Sequence, residues 1–273
     1  MKSGFSGSAG ALAAGALGMA ACLVGTSPEA LAAEPGDPPE AGEFGFSVGA
    51  EYSSGEYGGN RSVEDLYVPV TGWYRGAGYA LRVTVPYLRV EAPEGTVIDG
   101  PGGQPVPGDG PTVTESGLGD VIVGASAYDV WTTMDGSLAL DVHGKVKLGT
   151  ADEDKGLGTG ETDFTLQADL LRFMPGATAL ASAGYVVRGN PRAFDLDDGL
   201  IASLGALFDL SAGARLGAFL EYQAAAYRLN DDRLELVGAL SWRAADWRTQ
   251  CSVSAGLSDS APDWSVGVSV FPR

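Results

Sequence analysis

Histidine and cysteine are nearly absent, with one His and two Cys in 273 residues. That supply cannot build a zinc cluster or a disulfide framework. Basic residues are scarce too, 17 Lys and Arg against 35 Asp and Glu, for a net charge of −18. Such a chain repels phosphate backbones, which excludes nucleic acid as a partner. Charged residues make up 19% of the chain and hydrophobic ones 45%, so it can bury a large surface and is not disordered despite its acidity. Glycine is abundant at 41 residues, with no three-residue period. That content is too high for a helical protein and fits a turn-rich all-β chain.

The N-terminus has to be set apart before any fold argument. Lys2 precedes the small apolar stretch Ala9 to Gly25, and Ala30-Leu31-Ala32 places small residues at both positions read by signal peptidase. Residues 1–32 are therefore expected to be a cleaved secretory signal peptide. A lipoprotein signal ending at Cys22, after Met19-Ala20-Ala21, is the alternative. A transmembrane helix is not, because the stretch is short and glycine-rich. Residues 33–43 (the EPGDPPEAGE run from Glu34 to Glu43) form a Pro-rich acidic leader, expected to be an extended periplasmic tether.

From Phe44 to the end of the chain, residues 44–273, the pattern has period two. Strands are expected at 44–52, 62–75, 78–91, 117–131, 137–149, 161–173, 177–189, 199–210, 214–228, 233–243, 247–257 and 264–271, each bounded by Gly, Pro, Asn, Asp or Ser. Most are far longer than the 5 or 6 residues usual in soluble sheets, and match the length needed to cross a membrane. The connections alternate. Segments 53–61, 92–116, 150–160, 190–198, 229–232 and 258–263 are each longer than the turns beside them. Tight turns on one side and long loops on the other mark an outer-membrane barrel with both termini in the periplasm. The fold class is thus an all-β, 12-stranded antiparallel up-and-down transmembrane barrel, located in the outer membrane of a Gram-negative bacterium.

Side-chain parity assigns the faces. In 137–149, Leu138, Leu140, Val142, Val146 and Leu148 alternate with Asp141, His143, Lys145 and Lys147. Segments 161–173 and 214–228 repeat the split, with Asp163 and Asp169 opposite Phe164 and Leu170, and Arg215 and Glu221 opposite Leu216 and Leu220. Strand length and loop asymmetry place the apolar face toward lipid and the polar face in the lumen. The expected lumen lining is Arg82, Asp120, Asp141, His143, Lys145, Lys147, Asp163, Asp169, Arg215, Glu221, Glu235, Arg243 and Arg248. Trp73, Tyr74, Trp131, Trp242 and Trp247 adjoin expected periplasmic turns, and Trp264 lies toward the opposite rim. They are expected to form two interface girdles.

Ser116-Gly117-Leu118-Gly119-Asp120 opening a strand, Lys145-Val146-Lys147-Leu148-Gly149-Thr150, and Gly156-Leu157-Gly158-Thr159-Gly160 running into Thr162-Asp163-Phe164 carry a family resemblance. They resemble the transporter-like outer-membrane barrels of the MetA-pathway of phenol degradation family, over roughly residues 44 to 271. The resemblance implies a 12-stranded barrel that passes small, often apolar or aromatic, compounds.

No enzyme signature competes with this reading. His143 is the one candidate base, and there is no Gly-x-Ser-x-Gly elbow in the chain. Asp152-Glu153-Asp154 lacks the spacing of a calcium loop, and the glycines at 156–160 open no helix that could cradle phosphate. No metal and no cofactor are expected. The expected partners are outer-membrane lipid and a small-molecule solute; the oligomeric state stays open, a monomer included. Twelve strands enclose less than the 16 to 18 of open porins, so the conduit is expected to be narrow or gated. The alternative is a non-conducting structural or surface-interaction barrel. Loop 92–116, with five prolines and six glycines, is either a gate over the mouth or an exposed tether.

Overall fold

The computed structural model describes residues 42–99 and 103–272. The expected signal peptide, Cys22 and the expected leader up to residue 41 lie outside the described residues. The strands are β1 (Glu43–Gly55), β2 (Val63–Gly76), β3 (Tyr79–Pro93), β4 (Thr112–Leu118 and Val121–Thr132), β5 (Leu138–Leu148) and β6 (Asp163–Met174). They continue as β7 (Ala177–Val187), β8 (Gly199–Ser211), β9 (Ala214–Gln223), β10 (Arg233–Ala244), β11 (Trp247–Gly256) and β12 (Trp264–Pro272). Each pairs antiparallel with its sequence neighbours, and β1 pairs with β12, which closes the sheet into a twelve-stranded meander barrel. Closure satisfies every strand edge, which a sheet in lipid requires.

Alternation along β3 shows why these residues form membrane strands. Tyr79, Leu81, Val83, Val85 and Tyr87 are exposed, while Ala80, Arg82, Thr84 and Leu88 between them are buried. The exposed set faces lipid, and the other set faces the barrel interior. Across β1 to β7 the outer wall carries an apolar concavity of about 1040 Å³, bordered by Phe44, Leu81, Phe164 and Tyr185. Gly72 and Gly144, which have open space where a Cβ would stand, contribute to its floor.

The turns at 77–78, 175–176, 212–213 and 245–246 are tight and 133–137 is short, whereas 56–62, 94–111, 149–162, 188–198, 224–232 and 257–263 are longer. Several boundaries differ from the sequence expectation. The third strand runs on to Pro93 and the fourth begins at Thr112, because Tyr87 to Pro93 and Thr112 to Leu118 continue the ladder beyond the expected strand ends. The loop between them therefore shrinks to 94–111. The ninth strand stops at Gln223 rather than 228, because Ala225 N–H donates to Asp232 Oδ1 and Ala226 N–H to Gln104 Oε1 instead of continuing the ladder.

One irregularity positions the site. Between Leu118 and Val121 the register of β4 against β3 slips by one residue, forming a bulge beside Pro86, whose carbonyl accepts Gly119 N–H at 2.9 Å. A Cβ on Gly119 would lie 2.8 Å from the Leu88 side chain. Leu118 faces outward, and strict alternation would send Asp120 the same way; the bulge turns it inward instead.

Candidate functional site

The three segments that carry the family resemblance converge on Lys147, which the outer end of β5 aims into the barrel. Its Nζ lies 2.7 Å from Asp163, 3.3 Å from Asp99 and 3.6 Å from Asp120, and donates to Thr159 Oγ1 at 3.2 Å. The bulged Asp120 accepts the backbone N–H groups of Thr150 and Ala151, fixing the start of loop 149–162. Asp163 accepts Gly189 N–H at 2.9 Å. All four charged side chains are buried. Two signs in one dry knot are stable only when each member is paired and hydrogen-bonded.

Asp99 belongs to loop 94–111 and joins it to this knot. Its second oxygen takes Arg188 Nε at 2.9 Å, and Arg188 also donates to Asp197 O at 2.6 Å. Burial pushes the Asp99 carboxyl above the ordinary range, against the pull of Lys147 and Arg188. The loop carries a small hairpin, Val97–Ile98 with Pro105–Val106. Ile98 packs with Leu157, Leu88 and Tyr57, and Val106 with Leu196 and Ala226. Gln104, fully buried, donates to Asp231 O and accepts Ala226 N–H, both at 3.0 Å, and Pro105 O accepts Asn230 Nδ2 at 3.1 Å. The β3–β4 and β9–β10 connections stand on opposite sides of a twelve-stranded ring. The loop therefore crosses the mouth along a diameter, and it is packed into the mouth rather than hanging free.

Below the knot, His143 lies between Ser126 Oγ at 2.8 Å from Nδ1 and Asp169 Oδ2 at 3.1 Å from Nε2. Gln167 and Ser182 donate to the other Asp169 oxygen, each at 2.7 Å. Asp141 accepts Asp129 N–H at 2.8 Å. This Ser–His–Asp chain resembles a nucleophile relay in its contacts. Around it the flanking residues pair within the β4–β5 and β5–β6 ladders, so backbone donors are committed to the sheet rather than to an oxyanion.

Nearer the periplasmic end, Ala139, Leu171, Leu180, Leu207, Phe219, Val237 and Ala239 cluster with Phe173 on the inner face of β5 to β10, beside the buried Asp141, Thr178, Arg215 and Ser241. Close by, Trp73 stacks on Phe271 with ring centroids 6.3 Å apart. Trp73 was expected at the lipid interface. It is instead buried on the inward face of β2, where strand alternation places it with Tyr67 and where Gly45 across the sheet leaves room for its ring. Tyr74, adjacent to it, faces outward beside Phe44 and Tyr79. Trp131, Trp247 and Trp264 are exposed and Trp242 is half-buried.

Of the other residues expected in the lumen, Arg82, Arg215, Glu221, Glu235 and Arg248 are buried at inward positions. Lys145 is half-buried, and Arg243 is exposed near the periplasmic end of β10. Asp99, Arg188, Gln104, Glu51 and Arg233 were missed. Asp99 and Gln104 sit in a loop with no periodicity to read. Glu51 and Arg233 obey the strand parity used for their neighbours, which would have found them.

The closed meander, its apolar outer belt and its charged interior define an outer-membrane β-barrel. The MetA-pathway of phenol degradation family matches residues 36–271, and the chain belongs to it. The crystal structure of an outer membrane channel from Pseudomonas putida F1 is similar, at a TM-score of 0.68 and 14% identity, over 88% of this chain and 98% of that one. The KdgM porin is similar at a TM-score of 0.50 and 10% identity, over 83% of this chain and 98% of that one. No curated protein matches the chain.

Proposed function

We propose that the chain is an outer-membrane channel that passes small apolar or aromatic solutes through a narrow charged lumen, and that it has no catalytic role. The observation that carries the reading is the apolar surface inside the periplasmic half of a closed barrel. Charged residues occur along the whole inner wall, Arg82, Arg215 and Arg248 in its periplasmic half included, and there the buried Phe219 cluster and the Trp73–Phe271 pair add apolar surface among them. A wide water-filled pore would keep polar side chains throughout. Apolar surface on the inner wall instead favours solutes that gain from leaving water. The phenol-degradation description of the family supports the same solute class.

In this reading Arg82, Asp120, Asp141, His143, Lys145, Lys147, Asp163, Asp169, Arg215, Glu221, Glu235, Arg243 and Arg248 belong to the lumen wall. Most of them brace one another rather than touch the solute. Tyr74, Trp131, Trp242, Trp247 and Trp264 anchor the barrel at the two membrane interfaces. Loop 94–111 serves as the gate, since it must leave the mouth before a solute enters.

The test is phenol uptake by Gram-negative cells lacking general porins, with and without the chain. Faster phenol entry, with disaccharide entry unchanged, is expected. Equal phenol rates would overturn the proposal. They would favour the second reading, a non-conducting barrel, to which the diametral packing of loop 94–111 lends support.

A further inference from the structure

Glu51 differs from the other acidic side chains of the inner strand wall. Asp120, Asp141, Asp163, Asp169, Glu221 and Glu235 are buried. Glu51 is exposed, although it occupies an inward position of β1 between the buried Gly49 and Ser53. Its neighbours fix the direction. Val48 is exposed on the outer face and Tyr52 stacks on Trp264 with centroids 5.4 Å apart, so the alternate residue, Glu51, points into the barrel. The charges that act on it, Asp65, Arg233 and Glu235, are also interior. A side chain exposed on the inner face of a closed barrel meets lumen space.

The wall beside Glu51 is built from small residues on its β12 side, while on the β2 side the buried Tyr67 stands opposite it in register. Gly267 stands opposite Glu51 in register, Ser252 stands opposite Gly267, and Ser269 stands opposite Gly49. Bulk and paired charge fill the β4–β7 side at the Lys147 and His143 levels. Glu51, exposed on the other side, presents its carboxyl to the lumen.

From this geometry, and resting on the channel reading above, we infer that Glu51 is the specificity-determining residue of the conduit. It favours cations and neutral molecules over anions of the same size. A carboxylate in a narrow, low-dielectric passage attracts counter-charge and repels like charge far more strongly than it would in bulk water. A carboxylate-bearing aromatic is therefore excluded, whereas its amine or alcohol counterpart enters.

The experiment is the reversal potential of the purified full chain in planar bilayers under a KCl gradient, at alkaline pH so that the Glu51 carboxyl is ionised. The wild type is expected to prefer K⁺. Glu51→Gln, which keeps the shape, should lower the K⁺/Cl⁻ permeability ratio severalfold; Glu51→Asp should retain the preference and Glu51→Lys should reverse it. Conduction with the same ratio in wild type and Glu51→Gln overturns this inference and leaves the channel reading standing. A chain that passes neither ions nor phenol overturns both.

Discussion

Asp99 and Lys147 lie 3.3 Å apart across 48 residues of sequence, one on the loop that crosses the mouth and the other on the inner wall. The contact ties the position of the loop to the charge state of the barrel wall. Lys147 serves Asp120 and Asp163 as well, so the same ammonium holds the loop, the β4 bulge and the start of β6.

Replacing Lys147 by Met should therefore do more than free the loop. It leaves Asp99, Asp120 and Asp163 buried without their shared cation, and breaking one side of a buried ion pair costs about 3–5 kcal/mol. Unfolding in detergent is expected at lower denaturant, and loop 94–111 should become cleavable by added protease. Wild-type stability in Lys147→Met would show that the knot contributes little.

The pH dependence has a definite sign. Burial raises the Asp99 carboxyl above its usual 3.8 in the closed loop, so the closed form binds the proton more readily than a solvated loop does. Lys147 and Arg188 face the group and oppose that shift, and Asp163 adds to it. Closure is then strongest below the solvated value and weakens as pH rises through the raised one. Open probability in a bilayer should climb from pH 4 to pH 7, and Asp99→Asn should flatten the slope. Opening on acidification would contradict this.

The lipid face can be tested at Val142, an outward residue of β5. Val142→Arg should cost about 2–4 kcal/mol near the midplane. Ser203→Arg on the inner face of β8, opposite Glu221 in register, should fold and insert normally. Equal tolerance of the two changes, measured by the folded fraction in vesicles, would reject the assigned faces.

The barrel was legible because its signals are periodic. Twelve long alternating segments and loops that lengthen on one side report topology without any tertiary contact. Trp73 escaped because nearness to a turn was read without its parity: it shares the inward face of β2 with Tyr67 and Thr71, opposite to Tyr74, and the missing Cβ of Gly45 makes room for its ring. The course of a loop and a bulge in β4 escaped because they are aperiodic. Loop 94–111 could be counted from the sequence, but its course across the mouth depends on Gln104 meeting Ala226, a pairing 122 residues apart. Asp120 was expected in the lumen, whereas the bulge at Gly119 that turns it there could not be read from spacing.

Trp73→Ala offers a check on the periplasmic end of the path. Removing the indole from the Trp73–Phe271 stack should widen the exit and speed phenol uptake, with uptake of larger sugars rising too. Unchanged rates for both would place the solute route elsewhere in the barrel.

A conduit closed at its outer mouth by loop 94–111 should change its single-channel conductance when residues 96–108 are removed. Brief or small openings are expected in the wild type and a larger, steadier conductance after deletion, with the barrel folded in both. Equal conductance in the two chains, or none in either, would contradict a conduit closed in this way.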